Sequence, residues 1–223
     1  MLACRDTDKT AAALESINAV AATPAINVPV DLASLESVRR LAAELLARCP
    51  RIDVLINNAG LFPSSQERTA DGFEMQFGVN HLSHFLLTAL LRDRLVATKD
   101  ARVVTVSSML HKRGRRDFES FRGVPKYSAN AAYAQSKLAN VLFALALARR
   151  LEGTGVTSNV LHPGGVATDI TRDLPWLVRK LIGFVFISPE MGAKTTLMLA
   201  TDPALAGVSG VYFDQCKRAD VAA

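Results

Sequence analysis

The 223-residue chain is poor in aromatic residues and cysteines and lacks any long uninterrupted apolar run. Aromatic residues make up only 6% of it, which disfavours an all-β sandwich and favours helices packed on a buried sheet. The 3 cysteines lie too far apart for a disulfide framework or a thiolate metal site, so we expect a reducing compartment. Proline, glycine and basic residues interrupt Leu174–Ile187, the most apolar stretch, and no membrane-spanning segment or signal peptide is predicted.

The charge balance gives little indication of a macromolecular partner. Lys and Arg exceed Asp and Glu by 26 to 21, and the formal net charge is +5. The one dense basic run, Lys112–Arg116, has no interleaved aromatic residues, so we predict a solvated or anion-facing loop and no nucleic-acid partner. With 49% hydrophobic residues, the chain can bury one sizeable core.

Strand-length apolar runs alternate with helical patterns along the whole chain. This alternation predicts an α/β fold, a doubly wound parallel sheet of Rossmann-like type in a single domain. One predicted helix begins at Asp31 or Ser34 and ends near Arg48, and another begins at Glu190 and ends near Ala200. The other predicted elements are the helix Ala131–Leu151 and the strands Ala25–Val30, Asp53–Ile56, Arg102–Val106, Val156–Leu161 and Val211–Phe213, with a strand stub at Met1–Cys4.

Tyr133 and Lys137 place a phenol and an ammonium one helical turn apart. A neighbouring cation stabilises a phenolate, which would bring the phenol pKa closer to neutral and suit it to acid–base chemistry. An ordinary surface pair with the same spacing is the alternative. A functional role for Tyr133 and Lys137 is favoured because other polar or small motifs follow predicted strands. They lie at the edge where parallel α/β sheets bind ligands. These motifs are Asp31-Leu32, Asn57-Asn58-Ala59-Gly60, Ser107-Ser108 and Pro163-Gly164.

Taken together, these motifs resemble the short-chain dehydrogenase/reductase family and, within it, the retinol-dehydrogenase-like branch. The resemblance covers essentially the whole chain. It is carried by the motifs just named together with Ala3–Asp6, Val79–Leu82, Tyr133–Asn140 and His162–Thr168.

The resemblance implies a catalytic set. Tyr133 would exchange a proton with the substrate oxygen while a nicotinamide exchanges the hydride. Lys137 would lower the phenol pKa and bind the nicotinamide ribose. Ser108 would donate a hydrogen bond to the substrate oxygen, with Ser107 the lesser candidate. Asn80 would interrupt a helix and hold a water that links Lys137 to solvent.

The resemblance also implies a cofactor, NADP(H), and no metal. Arg5 suits a 2′-phosphate, although Asp6 beside it could contact the ribose instead. Asp31 would contact adenine, with Leu32 beside it, although an aspartate there could simply cap a helix. The other implied cofactor-binding residues are Asn58, Ala59 and Gly60, then Pro163, Gly164, Val166 and Thr168, together with Tyr133 and Lys137.

A glycine-rich pyrophosphate turn after a first strand, typical of the family, is not found in the sequence. We therefore expect a family domain over residues 1–223 that lacks the first βα unit. A fragment of a complete enzyme is the favoured explanation, and a natural chain that has lost cofactor binding is the other. Either a gap opens in the sheet, or the Met1–Cys4 stub moves to pair with Asp53–Ile56.

The substrate is predicted to be a small apolar alcohol or carbonyl compound, such as a retinoid, a steroid or a lipid aldehyde. This rests on the apolar segment Leu174–Ile187, which could equally cap the core, form a homo-oligomer contact or rest on a membrane surface. The 24 residues between Ser108 and Tyr133 would form a flap beside the site or a loop without a role. A non-catalytic member that dimerises through the helices around Asn80 and Tyr133 is the alternative function. The expected location is cytoplasmic, or membrane-associated if a longer N-terminus exists.

Overall fold

The computed structural model describes residues 1–164 and 188–221, and a five-stranded sheet lies at its centre. The strands are arranged in chain order across the sheet; the first four are parallel and the last joins antiparallel. They are β1 (Val54–Asn57), β2 (Arg102–Val106), β3 (Thr157–His162), β4 (Tyr212–Asp214) and β5 (Lys217–Ala219). The predicted α/β class and parallel sheet are confirmed, and β5 is an addition to the prediction.

A second, shorter ladder is formed by the N-terminal residues. The Leu2 amide donates to the Ile26 carbonyl at 2.8 Å, and the Val30 amide donates to the Cys4 carbonyl at 3.2 Å. The predicted strand Ala25–Val30 is thereby reduced to an isolated parallel bridge at Asn27. The stub pairs with this segment and not with β1, so within the described residues β1 is an edge strand. Ile56 in the middle of β1 is 41% exposed, as expected for an unpartnered edge.

Helices cover both faces of the sheet. Ser34, not Asp31, caps the second helix, because its hydroxyl accepts from the Ser37 amide at 3.2 Å. A π-helical turn, Gly78–Leu82, separates two helices, and the 3₁₀ segments within the described residues are Met109–Arg113, Glu119–Arg122 and Pro203–Leu205. The helices are α1 (Asp8–Asn18), α2 (Leu35–Arg48), α3 (Met75–Phe77), α4 (Ser83–Val96), α5 (Ala129–Arg150) and α6 (Pro189–Thr201).

The core is divided by the sheet. On one face, α2 and α4 pack their buried leucines against Val103 and against Val28 and Val30 of the short ladder. Val141 and Ala144 of α5 cover Val160 and Tyr212 on the same face. On the other face, Leu199 of α6 packs with residues of β2, β3 and β4, which are Val104, Val106, Leu161 and Phe213.

One described helix, α5, is long and apolar enough by composition to cross a membrane, with a mean hydropathy of 1.2. In this structure α5 packs along β2 and β3 and carries the candidate catalytic residues, a position that accounts for its apolar composition.

Candidate active site

Tyr133 lies on α5 and is 8% exposed, with the Phe62 ring edge-on to it at 5.2 Å between centroids. Burial raises the pKa of the Tyr133 phenol, and a hydrogen bond with the Ser108 hydroxyl opposes this rise. The expectation of a phenol pKa lowered by Lys137 is therefore not met in this structure, because desolvation is the largest effect on the phenol. The Tyr133 hydroxyl and the Ser108 hydroxyl nevertheless belong to one site, as the resemblance implied.

Lys137, one turn further along α5, is 3% exposed. Its Nζ lies 5.6 Å from the Tyr133 ring centroid and donates to the Val106 carbonyl at 3.3 Å. Burial lowers the pKa of Lys137 to about 8, because desolvation disfavours the charged ammonium. An amine with this pKa can release and regain a proton near neutral pH, and among the described residues its Nζ donates to the Val106 carbonyl alone.

The two serines after β2 have different roles. Ser107 is buried, and its hydroxyl donates to the Lys137 carbonyl at 2.7 Å, which ties β2 to α5. Ser108 is partly exposed and caps the following 3₁₀ segment, with its Oγ accepting from the Leu110 amide at 3.3 Å. The geometry thus favours Ser108 over Ser107 as the residue that meets a substrate.

Asn80 is fully buried within the π-helical turn, so the helix is interrupted where the resemblance implied. Its side chain bonds both backbone groups of Leu61, at 2.8 and 3.1 Å, and donates to the Ser136 hydroxyl at 3.1 Å. These bonds hold the segment after Gly60 against α5. The water relay to Lys137 remains a prediction.

Sequence reasoning assigned no role to Asn140 or His84, yet both complete this network. The Asn140 amide donates to the Asn80 carbonyl at 2.9 Å and to the Val106 carbonyl at 3.2 Å. The His84 ring lies 3.1 Å from the same Asn80 carbonyl, and burial followed by the Lys137 charge lowers its pKa to about 4. The available signal was helical spacing, since Asn140 lies three residues from Lys137 and His84 lies four from Asn80.

Gly60 comes close to the catalytic groups. A Cβ there would lie 3.3 Å from Lys137 Nζ and 3.4 Å from Asn80 Oδ1. The glycine therefore leaves room in front of the ammonium. Asn58 and Gly60 are exposed and Ala59 is partly exposed, so this turn after β1 presents main chain and small side chains to a ligand.

Arg5 and Asp31 leave the short ladder side by side, because Cys4 and Val30 form its last bond. Both are exposed, and Leu32 is partly buried. The Asp31 carboxylate accepts from the Ala33 amide at 2.9 Å, so it forms a local turn and does not cap α2. The adenosine end of the predicted site is thus a surface feature.

At the other end of the site, Pro163 and Gly164 follow β3 and are partly exposed, with Gly164 at a φ of 92°. The predicted cofactor residues Val166 and Thr168 and the predicted substrate lid Leu174–Ile187 lie outside the described residues. In the described ranges, no group of three or more His, Cys, Asp or Glu residues has metal-binding geometry.

The segment between Ser108 and Tyr133 is fastened to α5. Ser120 Oγ donates to Gln135 Oε1 at 2.8 Å, and Gln135 Nε2 donates to the Asp117 carbonyl at 2.6 Å. A Cβ on Gly114 would lie 2.6 Å from the Ala134 carbonyl oxygen. The segment therefore packs beside Tyr133, as expected of a flap.

Comparisons with known proteins agree with this geometry. A family model described as short chain dehydrogenase matches residues 1–176. Retinol dehydrogenase 14 of Mus musculus is 52% identical over 198 residues, which cover 86% of this chain and 59% of that protein. The chain thus spans 59% of the length of that relative.

Two solved structures have the same fold. One, from Mycobacterium paratuberculosis, has a TM-score of 0.73 and 38% identity, covering 95% of this chain and 69% of that chain. The other, from Beutenbergia cavernae, is assigned as an NAD(P) dependent gluconate 5-dehydrogenase with NADP bound at low occupancy. It has a TM-score of 0.72 and 31% identity, covering 96% of this chain and 84% of that chain.

Proposed function

Because the chain belongs to the short-chain dehydrogenase family, in its retinol-dehydrogenase-like branch, we propose that it is the catalytic part of an NADP(H)-dependent oxidoreductase that interconverts an alcohol and a carbonyl. One observation carries the proposal. The Tyr133 phenol, the Ser108 hydroxyl and the Lys137 ammonium, which come from two elements, meet at the carboxyl edge of the sheet.

In this reaction Tyr133 moves the proton. It takes the proton from a substrate hydroxyl when the alcohol is oxidised and returns it to the oxygen when the carbonyl is reduced. Ser108 donates a hydrogen bond to that oxygen and stabilises its developing charge. Lys137, with a pKa of about 8, supplies positive charge beside the phenol, and Asn80 and Asn140 fix the backbone around it.

The described residues fit a nicotinamide cofactor. Gly60 leaves open space beside Lys137 Nζ. Among the described residues, the Lys137 ammonium makes one hydrogen bond, to the Val106 carbonyl at 3.3 Å. Lys137 would bind the nicotinamide ribose, and Asn58 to Gly60 would line the cofactor. Hydride transfer is the chemistry that the bound cofactor supplies. Arg5 favours NADP(H), which is also the cofactor named in the 31% identical structure.

The substrate in this proposal is a small apolar molecule of retinoid, steroid or lipid-aldehyde type. Two observations support this substrate class. The 52% identical relative is named a retinol dehydrogenase, and the segment Leu174–Ile187 has an apolar composition. The proposed location is cytoplasmic, with attachment to a membrane surface as the alternative.

The domain proposal concerns the open edge of β1. The short ladder and β1 share one hydrophobic cluster, in which Val28 and Val30 pack with residues that also contact Leu55. We propose that a further strand of the family fold belongs between them and that its βα turn completes the pyrophosphate site.

Fluorescence titration with NADPH tests the cofactor and domain proposals together. The 223-residue chain is compared with the same chain extended by an N-terminal βα unit from a family member. The extended protein should bind, and the shorter chain should bind at least about tenfold more weakly. Equal binding would contradict the domain proposal, and no binding by either protein would contradict the cofactor proposal.

A non-catalytic dimerisation partner is the second candidate. Phe85 of α4 and Leu142 of α5 are 46% and 44% exposed, and the rings of Phe85 and Phe143 pack at 5.5 Å between centroids. This apolar surface suits a second chain of similar shape. Sedimentation of the chain alone and of a Phe85→Lys variant tests it, because a dimer through this surface should dissociate in the variant. An oligomer unaffected by Phe85→Lys would contradict this candidate.

A further inference from the structure

Behind Ser108 lies a buried polar cluster that the reaction above does not use. It consists of His111 in the 3₁₀ segment after Ser108, His162 at the end of β3 and Asp214 at the end of β4. His111 is 2% exposed and His162 is 5% exposed. His162 and Asp214 are register partners on neighbouring parallel strands, so their side chains leave the same face of the sheet. The His111 ring packs on Tyr212 of the same face at 5.0 Å between centroids.

His111 is bonded twice to Ser108. Its backbone amide donates to the Ser108 carbonyl at 3.0 Å, and its ring Nδ1 lies 2.7 Å from the same oxygen. A carbonyl oxygen can only accept, so Nδ1 must carry the proton. In a neutral ring with its proton on Nδ1, Nε2 is an acceptor.

Each member of the cluster has one buried atom without a partner among the described residues. These atoms are His111 Nε2, His162 Nδ1 and Asp214 Oδ1, half of the six such side-chain atoms in the described structure. Because His162 and Asp214 share one face of the sheet and His111 packs on Tyr212 of that face, one shared partner can serve all three atoms. Burial lowers the pKa of His162, and the Asp214 carboxylate opposes this effect.

The donor and acceptor properties of the three atoms indicate that the shared partner is a water molecule. His111 Nε2 and Asp214 Oδ1 both need a donor, whereas His162 Nδ1 can donate. One water has two hydrogens for the first two atoms and an oxygen that accepts from the third, and three bonds are usual for a buried water. A metal ion is not favoured, since no metal-binding group of three occurs in the described ranges.

We propose that His111 is a positioning residue for Ser108, held in a single tautomer by a buried water that it shares with His162 and Asp214. The Ser108 carbonyl is fixed by the two bonds from His111, and the hydroxyl of the same residue is then directed at the Tyr133 phenol. The expected effect of His111 on turnover rests on the function proposed above. The tautomer and the water do not, because both can be observed without activity.

The first experiment needs no activity. Nitrogen-15 NMR of the 223-residue chain, with His111 assigned through a His111→Asn variant, should show His111 protonated at Nδ1 alone. A crystal structure should show a water within hydrogen-bond distance, about 2.6–3.2 Å, of all three atoms. An Nε2-protonated or mixed His111, or a dry cluster, would overturn the proposal.

The second experiment uses turnover in the chain extended by a βα unit. His111→Phe keeps a ring on Tyr212 but removes the ring N–H that donates to the Ser108 carbonyl. We therefore expect kcat to fall at least about tenfold, with the KM for NADPH unchanged. His111→Asn places an amide N–H near the Nδ1 position and should recover most of kcat. Equal loss in both folded variants, or no loss in His111→Phe, would contradict the positioning role. An inactive parent protein would count against the proposed function, and the NMR result would still decide the tautomer.

Discussion

The buried half of the candidate site and its N-terminal rim are built in different ways. Asn80, Lys137 and Asn140 are at most 3% exposed, and each donates a hydrogen bond to a main-chain carbonyl of another segment. At the rim, Arg5 and Asp31 are exposed and α1 has no buried residue. The catalytic geometry is thus imposed by the core, whereas the adenosine end depends on surface side chains. Substitutions should therefore have large effects in the first region and smaller ones in the second.

Tyr133→Phe should produce the largest effect. Losing the proton-transferring hydroxyl should lower turnover of an apolar aldehyde by about 10²–10⁴-fold in the extended chain, with NADPH affinity retained. Steady-state kinetics and fluorescence titration measure the two quantities. Tyr127→Phe is the control, since the Tyr127 hydroxyl bonds Glu74 and Gln76 and not Ser108. Near-normal turnover in Tyr133→Phe would show that another group is the acid–base.

His84 should make the buried half sensitive to acid. Burial, reinforced by the Lys137 charge, lowers the pKa of His84 from 6.5 to about 4, so the folded state binds fewer protons than the unfolded chain between these values. Stability contributed by neutral His84 is present above pH 6.5 and is lost as the pH falls, by about 3 kcal/mol near pH 4.

The matched variant is His84→Asn, which keeps an N–H donor for the Asn80 carbonyl but cannot titrate. Urea unfolding of both chains at about pH 7 and about pH 4 gives the difference. The variant should lose less stability on acidification. The same pH dependence in both chains would refute the assignment to His84.

Gly114→Ala should loosen the flap. The new Cβ would meet the Ala134 carbonyl oxygen at 2.6 Å and Leu138 Cβ at 2.7 Å, both on α5. We expect the free energy of unfolding to fall by about 1–3 kcal/mol. Arg115→Ala, an exposed change in the same segment, should leave it within about 0.5 kcal/mol. A neutral Gly114→Ala would mean that the flap does not depend on this close packing.

Arg5→Glu should have the smallest effect and one confined to the cofactor. The affinity of the extended chain for NADPH should fall about tenfold, because a carboxylate would face the 2′-phosphate, while NADH affinity and stability stay unchanged. Arg39→Glu is the control for the change in net charge. An equal loss for NADPH and NADH would indicate that Arg5 does not read the 2′-phosphate.

The fold was predictable where the apolar pattern is strong. Arg102–Val106 matches β2 at both ends, and α5 differs from the predicted helix by two residues at its start and one at its end. Lys217–Ala219 escaped prediction because a charged antiparallel edge strand has no apolar pattern. Helix α1 escaped because no face of it is buried.

The site was predictable only in part. Motif spacing and family resemblance indicated Tyr133, Lys137, Ser108 and Asn80, and the structure brings them together. The direction of the Tyr133 pKa shift was wrong, because desolvation of the phenol depends on tertiary contacts such as that with the Phe62 ring. The contact between His111 and the Ser108 carbonyl depends on a 3₁₀ turn, for which the sequence carried no signal.

The π-helical turn at Gly78–Leu82 also restricts how this chain can change in length. A π turn absorbs one residue more than regular α-helical winding, so the side chains before and after it keep their directions. Deleting one residue there should therefore leave Leu87 and Leu91 of α4 in the core but remove the turn from which Asn80 bonds Leu61 and Ser136. The one extra residue of this turn thus serves the site and not the packing of α4.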